Sequence, residues 1–448
     1  MKDAIEFWWS NHATRIAFFF YLCLLLLIPS QLGFHFWPEF TTLSGLRVDY
    51  LSPTLFFSDF FLVPLTVFLW HPLKSQLTIK RVLIVGSFVL YLSTIALLSQ
   101  SPLNSLYGLM RWLSYSVFAF ATWHFWQDRQ FVKHSLLVLM LTICMVSVLA
   151  IWQFLEQHSI GGIFYWIGER SFSGQTPGIA NASLNGTLVL RPYASFPHPN
   201  VLAGFLLVIG ILLWGYKNVL DRTWQRYFFL GVFFLGMLAI GLSLSRTVIL
   251  LFLTVSLAWI ILGVRKTQIT LKKISIGIVG FLLLLLPIIP RFAALIQSDE
   301  AVTLRLALLN ASWEIFISSP LFGVGIKNFL PALSEGNTTI LPYSLLQPVH
   351  NIFVLTLVEM GLLGLLWILP FFLSLVTRIR KSTSDRKWLK ISLLLSLLGI
   401  GLVDHYFYTL HQGQLLLMLV LGVLWYTQPL GQRFEQPKET KYPKKLMS

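Results

Sequence analysis

Hydrophobic positions in this chain fall in long runs separated by short polar stretches. The runs lie near residues 14–32, 52–71, 82–99, 105–126, 132–154, 199–216, 227–243, 246–263, 274–290, 350–376, 388–403 and 412–427. A helix crosses the hydrocarbon of a bilayer in about 20 apolar residues, which is the length of these runs. The pattern therefore predicts an all-α polytopic membrane protein of about twelve transmembrane helices, built as a single integral membrane domain over residues 1–448. The first run, Ile16 to Pro29, has no small-residue cleavage site before Phe34, so it is expected as a retained span rather than a signal peptide.

Two intervals between runs are long: residues 155–198 and residues 291–349. The second exceeds what a connector needs, and such loops usually carry function. Within it, Val302 to Ser318 reads as a helix with a narrow polar stripe, Thr303, Ala307, Asn310, Glu314 and Ser318, about 80° wide at helical spacing. Arg305 and Ser312 lie nearly opposite that stripe. A helix so apolar rests on membrane or protein, so Arg305 is expected on its buried side, needing a carboxylate or a substrate phosphate as partner.

Composition sharpens the class. The chain of 448 residues is 56% hydrophobic and only 11% charged, with a mean hydropathy of +0.73. Soluble domains carry about 25% charged residues, so a soluble globule, a disordered chain and a disulfide scaffold are excluded. The two cysteines, Cys23 and Cys144, sit inside apolar runs and are not expected to pair. The net charge of +15 would suit nucleic acid in a soluble protein. Here its distribution argues otherwise. Twenty-five lysines and arginines fall on the tails and even-numbered loops, and seven (Arg47, Arg170, Arg191, Arg246, Arg291, Arg305 and Lys327) on the other side, with Arg111 inside a span. By the positive-inside rule both termini are cytoplasmic, and no nucleic-acid partner is expected. Residues 428–448 form a basic cytoplasmic tail that anionic membrane lipids would attract.

Cations on the positive-poor side run against topology, which makes them candidates. Arg191 through Pro199-Asn200 leads into the sixth run, Ser243-Leu244-Ser245-Arg246-Thr247 into the eighth, and Pro348-Val349-His350-Asn351 into the tenth. Each of those helices starts on the extracytoplasmic side, where free N–H groups and the positive dipole end favour anions. Arginine's planar fork suits phosphate oxygens. The plainer alternative is that Arg191 and Arg246 snorkel to the interface.

His350 is the candidate base, its ordinary pKa allowing it to accept a proton at neutral pH. His198, His405 and His411 face the same side, so position alone does not choose among them; Pro199 restricts His198 to extended backbone. Metal chemistry is not expected, because these loops offer no Asp-x-Asp, His-x-x-x-His or Cys cluster. Gly323-x-Gly325 lacks the preceding strand of a dinucleotide fingerprint and reads as a turn ending a helix. Asp59 and Arg111, in the outer thirds of the second and fourth runs, are expected to pair for structural reasons. Glu359, nine residues past His350, is too far along one helix to touch it.

Taken in order, these motifs resemble the O-antigen ligase and O-antigen polymerase superfamily, bacterial inner-membrane glycosyltransferases of the GT-C type. The residues are Arg191 with Phe196-Pro197-His198-Pro199-Asn200; Ser245-Arg246; Arg305 with Trp313 and Pro320-Leu321-Phe322-Gly323-Val324-Gly325; His350-Asn351 with Glu359-x-Gly361; and Asp404 near the last span. The resemblance covers about residues 190–425. It implies a GT-C-like fold, a polyprenyl (undecaprenyl) diphosphate-linked glycan donor, and an acceptor hydroxyl on a glycan or lipid A-core at the extracytoplasmic face. On this chain it places Arg191 and Arg246 on the diphosphate with Arg305 nearby, and His350 on the acceptor, with His198, Asn200, Ser245, Asn351 and Asp404 in support and no cofactor. Arginines and helix ends can stabilise a diphosphate leaving group without metal. The absence of paired carboxylates for a retaining route implies inversion. Ligase is the first reading; polymerase and protein O-glycosylating relatives share the motifs, and an anion transporter is the alternative of a different class, which paired broken spans in both halves would favour.

Overall fold

A computed structural model describes residues 2–184, 186–265, 300–335 and 346–426. Its helices are α1 (Lys2–Leu27), α2 (Asp59–Phe68), α3 (Trp70–Ser75), α4 (Ile79–Leu98), α5 (Pro102–Phe125), α6 (Arg129–Glu156), α7 (Pro199–Tyr216), α8 (Thr223–Leu242) and α9 (Arg246–Arg265), followed by α10 (Glu300–Ser318), α11 (Phe329–Glu335), α12 (Ile352–Arg380), α13 (Ser384–Gly401), α14 (Tyr406–Thr409) and α15 (His411–Trp425). Among the described residues, strand is confined to three two-stranded antiparallel ribbons in loops, β1 (Gly33–His35) with β4 (Thr54–Phe56), β2 (Thr42–Leu43) with β3 (Leu46–Arg47), and β5 (Asn181–Leu184) with β6 (Thr187–Leu190).

Eleven of the twelve apolar runs coincide with described helices, and the expected ninth span, 274–290, lies outside the described residues. Among the described residues, five helices, α4, α6, α7, α8 and α12, are long and apolar enough to cross a membrane on their own. Parts of α1 and α9, with α2 and α15, are shorter apolar helices. The remaining two expected spans, α5 and α13, carry Arg111 and His124, and Asp385, Arg386, Lys387 and Lys390, which dilute their apolar character. Twelve spans therefore stay an expectation of the apolar pattern. The second run differs most. Strand β4 and a short α2 replace one long helix, because the Asp59 carboxylate accepts the Phe56 N–H (2.9 Å) at the helix start and Leu69 breaks it from α3.

The core is centred on α7, which is apolar on all sides and buried from Val201 to Leu213; such a helix has protein on every face. It packs against α6, α8, α9, α13 and α15. Small residues let helices approach where lipid supplies little drive for association. Gly204 admits the Tyr406 hydroxyl and Gly215 the Leu389 side chain.

Helix α12 is broken. Gly361 has φ 61° and ψ −176°, in the middle of a helix that would otherwise run through. The turn after α10 fills the gap. Val324 and Gly325 donate their N–H groups to the carbonyls of Val358 (3.0 Å) and Glu359 (2.9 Å), while Leu362 and Leu363 donate to Pro320 (2.9 Å) and Leu321 (3.0 Å). These four bonds, with one from the Tyr91 hydroxyl to the Met360 carbonyl, pair backbone groups freed by the break, as an apolar setting demands. A Cβ on Gly361 would lie 2.3 Å from the Leu321 carbonyl oxygen, and one on Gly323 (φ 71°) would lie 2.5 Å from the Glu359 carbonyl carbon. Gly323-x-Gly325 is thus a turn past a helix end, as expected, and it is also one half of a joint whose other half is Glu359-x-Gly361.

Asp59 and Arg111 pair at 2.8 Å. Arg111 also bonds Tyr115, lies 3.2 Å from His411 Nδ1 and sits over the Phe56 and Tyr115 rings, so the pair ties α2, α5 and α15 together.

Candidate functional site

The sequence motifs converge at the end of the bundle where α7, α9 and α12 begin and α13 ends. The segment before α7 is shaped by α6. Gln153 accepts the N–H groups of Tyr193 (3.0 Å) and Ala194 (2.7 Å) and donates to the Ala194 carbonyl (3.0 Å) and to Glu169 (2.7 Å). That clamp holds Ala194 at φ 48° and delivers Arg191 to the bundle. Arg191, 7% exposed, donates from Nε to the Ser243 carbonyl (2.7 Å) and from a terminal nitrogen to Asn200 Oδ1 (2.8 Å). Its charge therefore sits at the C-terminal end of α8, whose dipole it complements. The expectation of a cation beside the start of α7 is met in space, but one edge of the fork is engaged by protein.

His198 has the extended backbone that Pro199 demands (φ −155°, ψ 145°) and caps α7, its Nδ1 accepting the Asn200 N–H (3.1 Å). Burial, then the charge of Arg191, pushes its pKa down to about 3, so it stays neutral. Asn200 bridges the two halves, bonded to Arg191 on one side and donating to Asp404 Oδ2 (3.4 Å) on the other. Asp404 Oδ1 accepts the His405 N–H (2.8 Å). Burial alone would raise the Asp404 pKa; the surrounding imidazoles and that N–H outweigh it and hold the group below the usual carboxylate value.

Asn200, Ser245, Thr247, Arg305, Asp404 and Tyr406 line one cavity of about 250 Å³, open solvent at its mouth included. Ser245 accepts the Ile249 N–H through its carbonyl in the first turn of α9, whose second residue, Thr247, faces the cavity. Arg246 opens the same turn. Arg305 enters from α10. The buried face of that helix runs through Leu308, Ser312 and Ile315. Ser312 is on the expected side, but Arg305 is exposed. It lies at the edge of that face, where the cavity opens, so its guanidinium does not need the buried counter-charge that the sequence suggested.

His350 precedes the cap of α12. Asn351 accepts the Val354 N–H (3.0 Å) and donates to the Leu402 carbonyl (3.1 Å), which fixes the start of α12 against the end of α13. The His350 ring meets the His405 ring edge to face, 5.0 Å between centroids at 70°. Burial, with Arg305 adding to it and Asp404 opposing, holds the His350 pKa below its ordinary value, so the ring is neutral at pH 7. Glu359 is indeed remote from His350; it accepts the Tyr408 hydroxyl (2.8 Å) and the Phe329 N–H (3.4 Å). Among the described residues no three His, Cys, Asp or Glu side chains converge as a metal ion would require.

Three contributors escaped the sequence reading. Gln153 had a signal, a lone glutamine near the end of an apolar run. Tyr50 and Thr409, which both touch His405, had none, because neither lies at a helix start or carries charge.

Among known proteins, the family model described as O-Antigen ligase matches residues 230–369. That segment contains Ser245, Arg246, Arg305, His350, Asn351 and both halves of the Gly323–Gly361 joint, and it leaves out Arg191, His198, Asn200 and Asp404. No curated protein matches the chain.

Proposed function

We propose, from the membership of the O-antigen ligase and polymerase superfamily that the match over residues 230–369 supports, that this protein is a membrane glycosyltransferase. It moves a glycan from a polyprenyl (undecaprenyl) diphosphate donor to an acceptor hydroxyl on the extracytoplasmic face of the bacterial inner membrane. The observation that carries the reading is the shared cavity of Arg305, the first turn of α9 and the Asn200–Asp404 bridge, with His350 one imidazole away.

In this reading Arg246, Arg305 and the N–H groups opening α9 hold the diphosphate, and take up charge as the bond from the anomeric carbon to the phosphate oxygen breaks. Arg191 anchors the floor of the site through Ser243 and Asn200. His350, neutral at pH 7, takes the acceptor's hydroxyl proton as its oxygen bonds to the anomeric carbon. Attack opposite the leaving group inverts that centre. Asp404, with Asn200, supports the protonated imidazole that results; Ser245, Asn351 and His198 fix the helix starts. Ligase activity, with a lipid A-core acceptor, is the first reading, and polymerisation on another donor-linked glycan is the second.

The test is incubation of the purified, membrane-reconstituted protein with labelled polyprenyl-diphosphate glycan and a panel of acceptors, beside His350→Ala. Acceptor-dependent transfer that His350→Ala abolishes is expected. Transfer to no acceptor, with saturable anion uptake into the vesicles instead, would make the protein a transporter. The break at Gly361 is closed by a loop, whereas transporters use paired breaks that open a site.

A further inference from the structure

A general base is ordinarily oriented through its second nitrogen, by a carboxylate or carbonyl that fixes the ring and its tautomer. His350 has no such partner: its Nδ1 is buried and makes no hydrogen bond among the described residues. The nearby carboxylate is occupied elsewhere, since Asp404 accepts from the His405 N–H and from Asn200. Among the described residues, ring packing is the contact that holds the His350 side chain.

What it packs on is itself well anchored. His405 is 4% exposed, in the turn between α13 and α14. Its Nδ1 is hydrogen-bonded to Thr409 Oγ1 at 2.6 Å, one helical turn on. The Thr409 hydroxyl also lies 3.2 Å from the His405 carbonyl, which ties it to the same turn. From the loop before α2, the Tyr50 ring closes on His405 edge to face at 5.6 Å and 75°. His350 takes another side at 5.0 Å and 70°. The charged and titratable groups acting on this pair are Asp404, from the end of α13, and Arg305, from α10, with His198 at the start of α7.

We propose that His405 is the positioning residue for His350, an anchored aromatic wall that sets the orientation of the base and shields it from water without itself carrying the proton. The proposal rests on the assignment of His350 as base. An imidazole oriented by an aromatic wall, rather than by a hydrogen bond to its second nitrogen, should tolerate exchange of that wall for another ring of similar size.

The experiment compares His405→Ala and His405→Phe with the parent in donor binding, in single-turnover transfer at saturating donor and acceptor, and in the pH dependence of that transfer, each in reconstituted protein. His405→Ala should bind donor normally and transfer about 10- to 100-fold more slowly, as small misplacements of a catalytic group do. Its acid limb should move to higher pH, because water readmitted around His350 relieves the burial that lowers its pKa. His405→Phe should recover most of the rate. A His405→Phe protein as slow as His405→Ala, with donor binding intact, would overturn the proposal and make His405 a proton carrier. Transfer at the parent rate in His405→Ala would overturn it too. If both variants lose donor binding, the residue is structural and the proposal fails. His350→Ala separates the two levels: parental transfer in that variant sinks the assignment of the base, whereas a dead His350→Ala beside a fully active His405→Ala sinks this inference alone.

Discussion

At the scale of single residues, Arg191 and Arg246 look alike in the sequence and differ in their surroundings. Arg191 is buried between the Ser243 carbonyl and Asn200, so Arg191→Lys, which lacks the planar fork, should lower thermal stability as well as transfer. Arg246, which opens α9 beside the cavity, should respond in donor binding and rate; loss of a preorganised charged donor costs about 2.7–4 kcal/mol, about a hundred- to thousand-fold in rate. Single-turnover transfer and thermal unfolding of both variants in detergent check the distinction, and equal melting temperatures would contradict it. The histidines make a second test. Burial lowers the His350 pKa below its ordinary value, so the proposed base loses its proton at a lower pH than an exposed histidine, and the acid limb of transfer should lie below pH 6.5. His198 and His405, at about 3 and about 4, are neutral when folded. The unfolded chain binds more protons once pH drops below about 6.5, so stability present above that value should be lost progressively down to about pH 4. A melting temperature that is flat from pH 7 to pH 4 would contradict it. Arg191, Arg246 and His350 stood out in the sequence because they lead into apolar runs from the side expected to be poor in positive charge. Their partners were not: whether a guanidinium meets a carbonyl or a cavity depends on how α6, α8 and α10 pack, which spacing along one helix does not encode.

At the scale of elements, the joint between the turn after α10 and the break in α12 is the clearest case of two motifs explaining each other. Gly361→Ala and Gly323→Ala both place a methyl group against backbone at positive φ. Each should destabilise by about 1–3 kcal/mol, from overpacking and strain together. Differential scanning of the detergent-solubilised variants reads this out, and a parental melting temperature in both would mean that the joint is not formed. The sequence showed the two glycine motifs and could not join them, because the bonds cross from residue 320 to residue 362, and a hydropathy window passes over Gly361 as one apolar residue among many. The Asp59–Arg111 pair, by contrast, was legible, since two opposite charges at similar depths have few other partners available. Arg111→Met should cost about 3–5 kcal/mol, because it strands a carboxylate in a largely buried cluster, and Asp59→Asn made together with it should recover much of that loss. Equal stabilities for the single and the double variant would show that the two charges are not coupled.

At the scale of the whole molecule, the division of basic residues between the two sides predicts that the site end of the bundle is extracytoplasmic. Gln175, exposed in the loop before α7, and Thr383, exposed between α12 and α13, put this to a direct test: Gln175→Cys should react with an impermeant thiol reagent added outside and Thr383→Cys should not. The opposite labelling would invert the molecule. The overall helical architecture was legible because hydrophobic runs report membrane-length helices one at a time. The ribbons near residues 33–56 and the short α2 were hidden, since β1 pairs with β4 across about twenty residues and leaves no alternation long enough to read. The broken helix bears on how such a molecule sits in lipids of varying thickness. A spanning helix answers a mismatched bilayer by tilting. Here the tilt of the segment after Gly361 need not reach His350, because the segment before it is fastened through Asn351 to α13 and through its last carbonyls to the turn at Gly323. On the proposed function, a break so placed would decouple the geometry around His350 from the elastic state of the surrounding membrane.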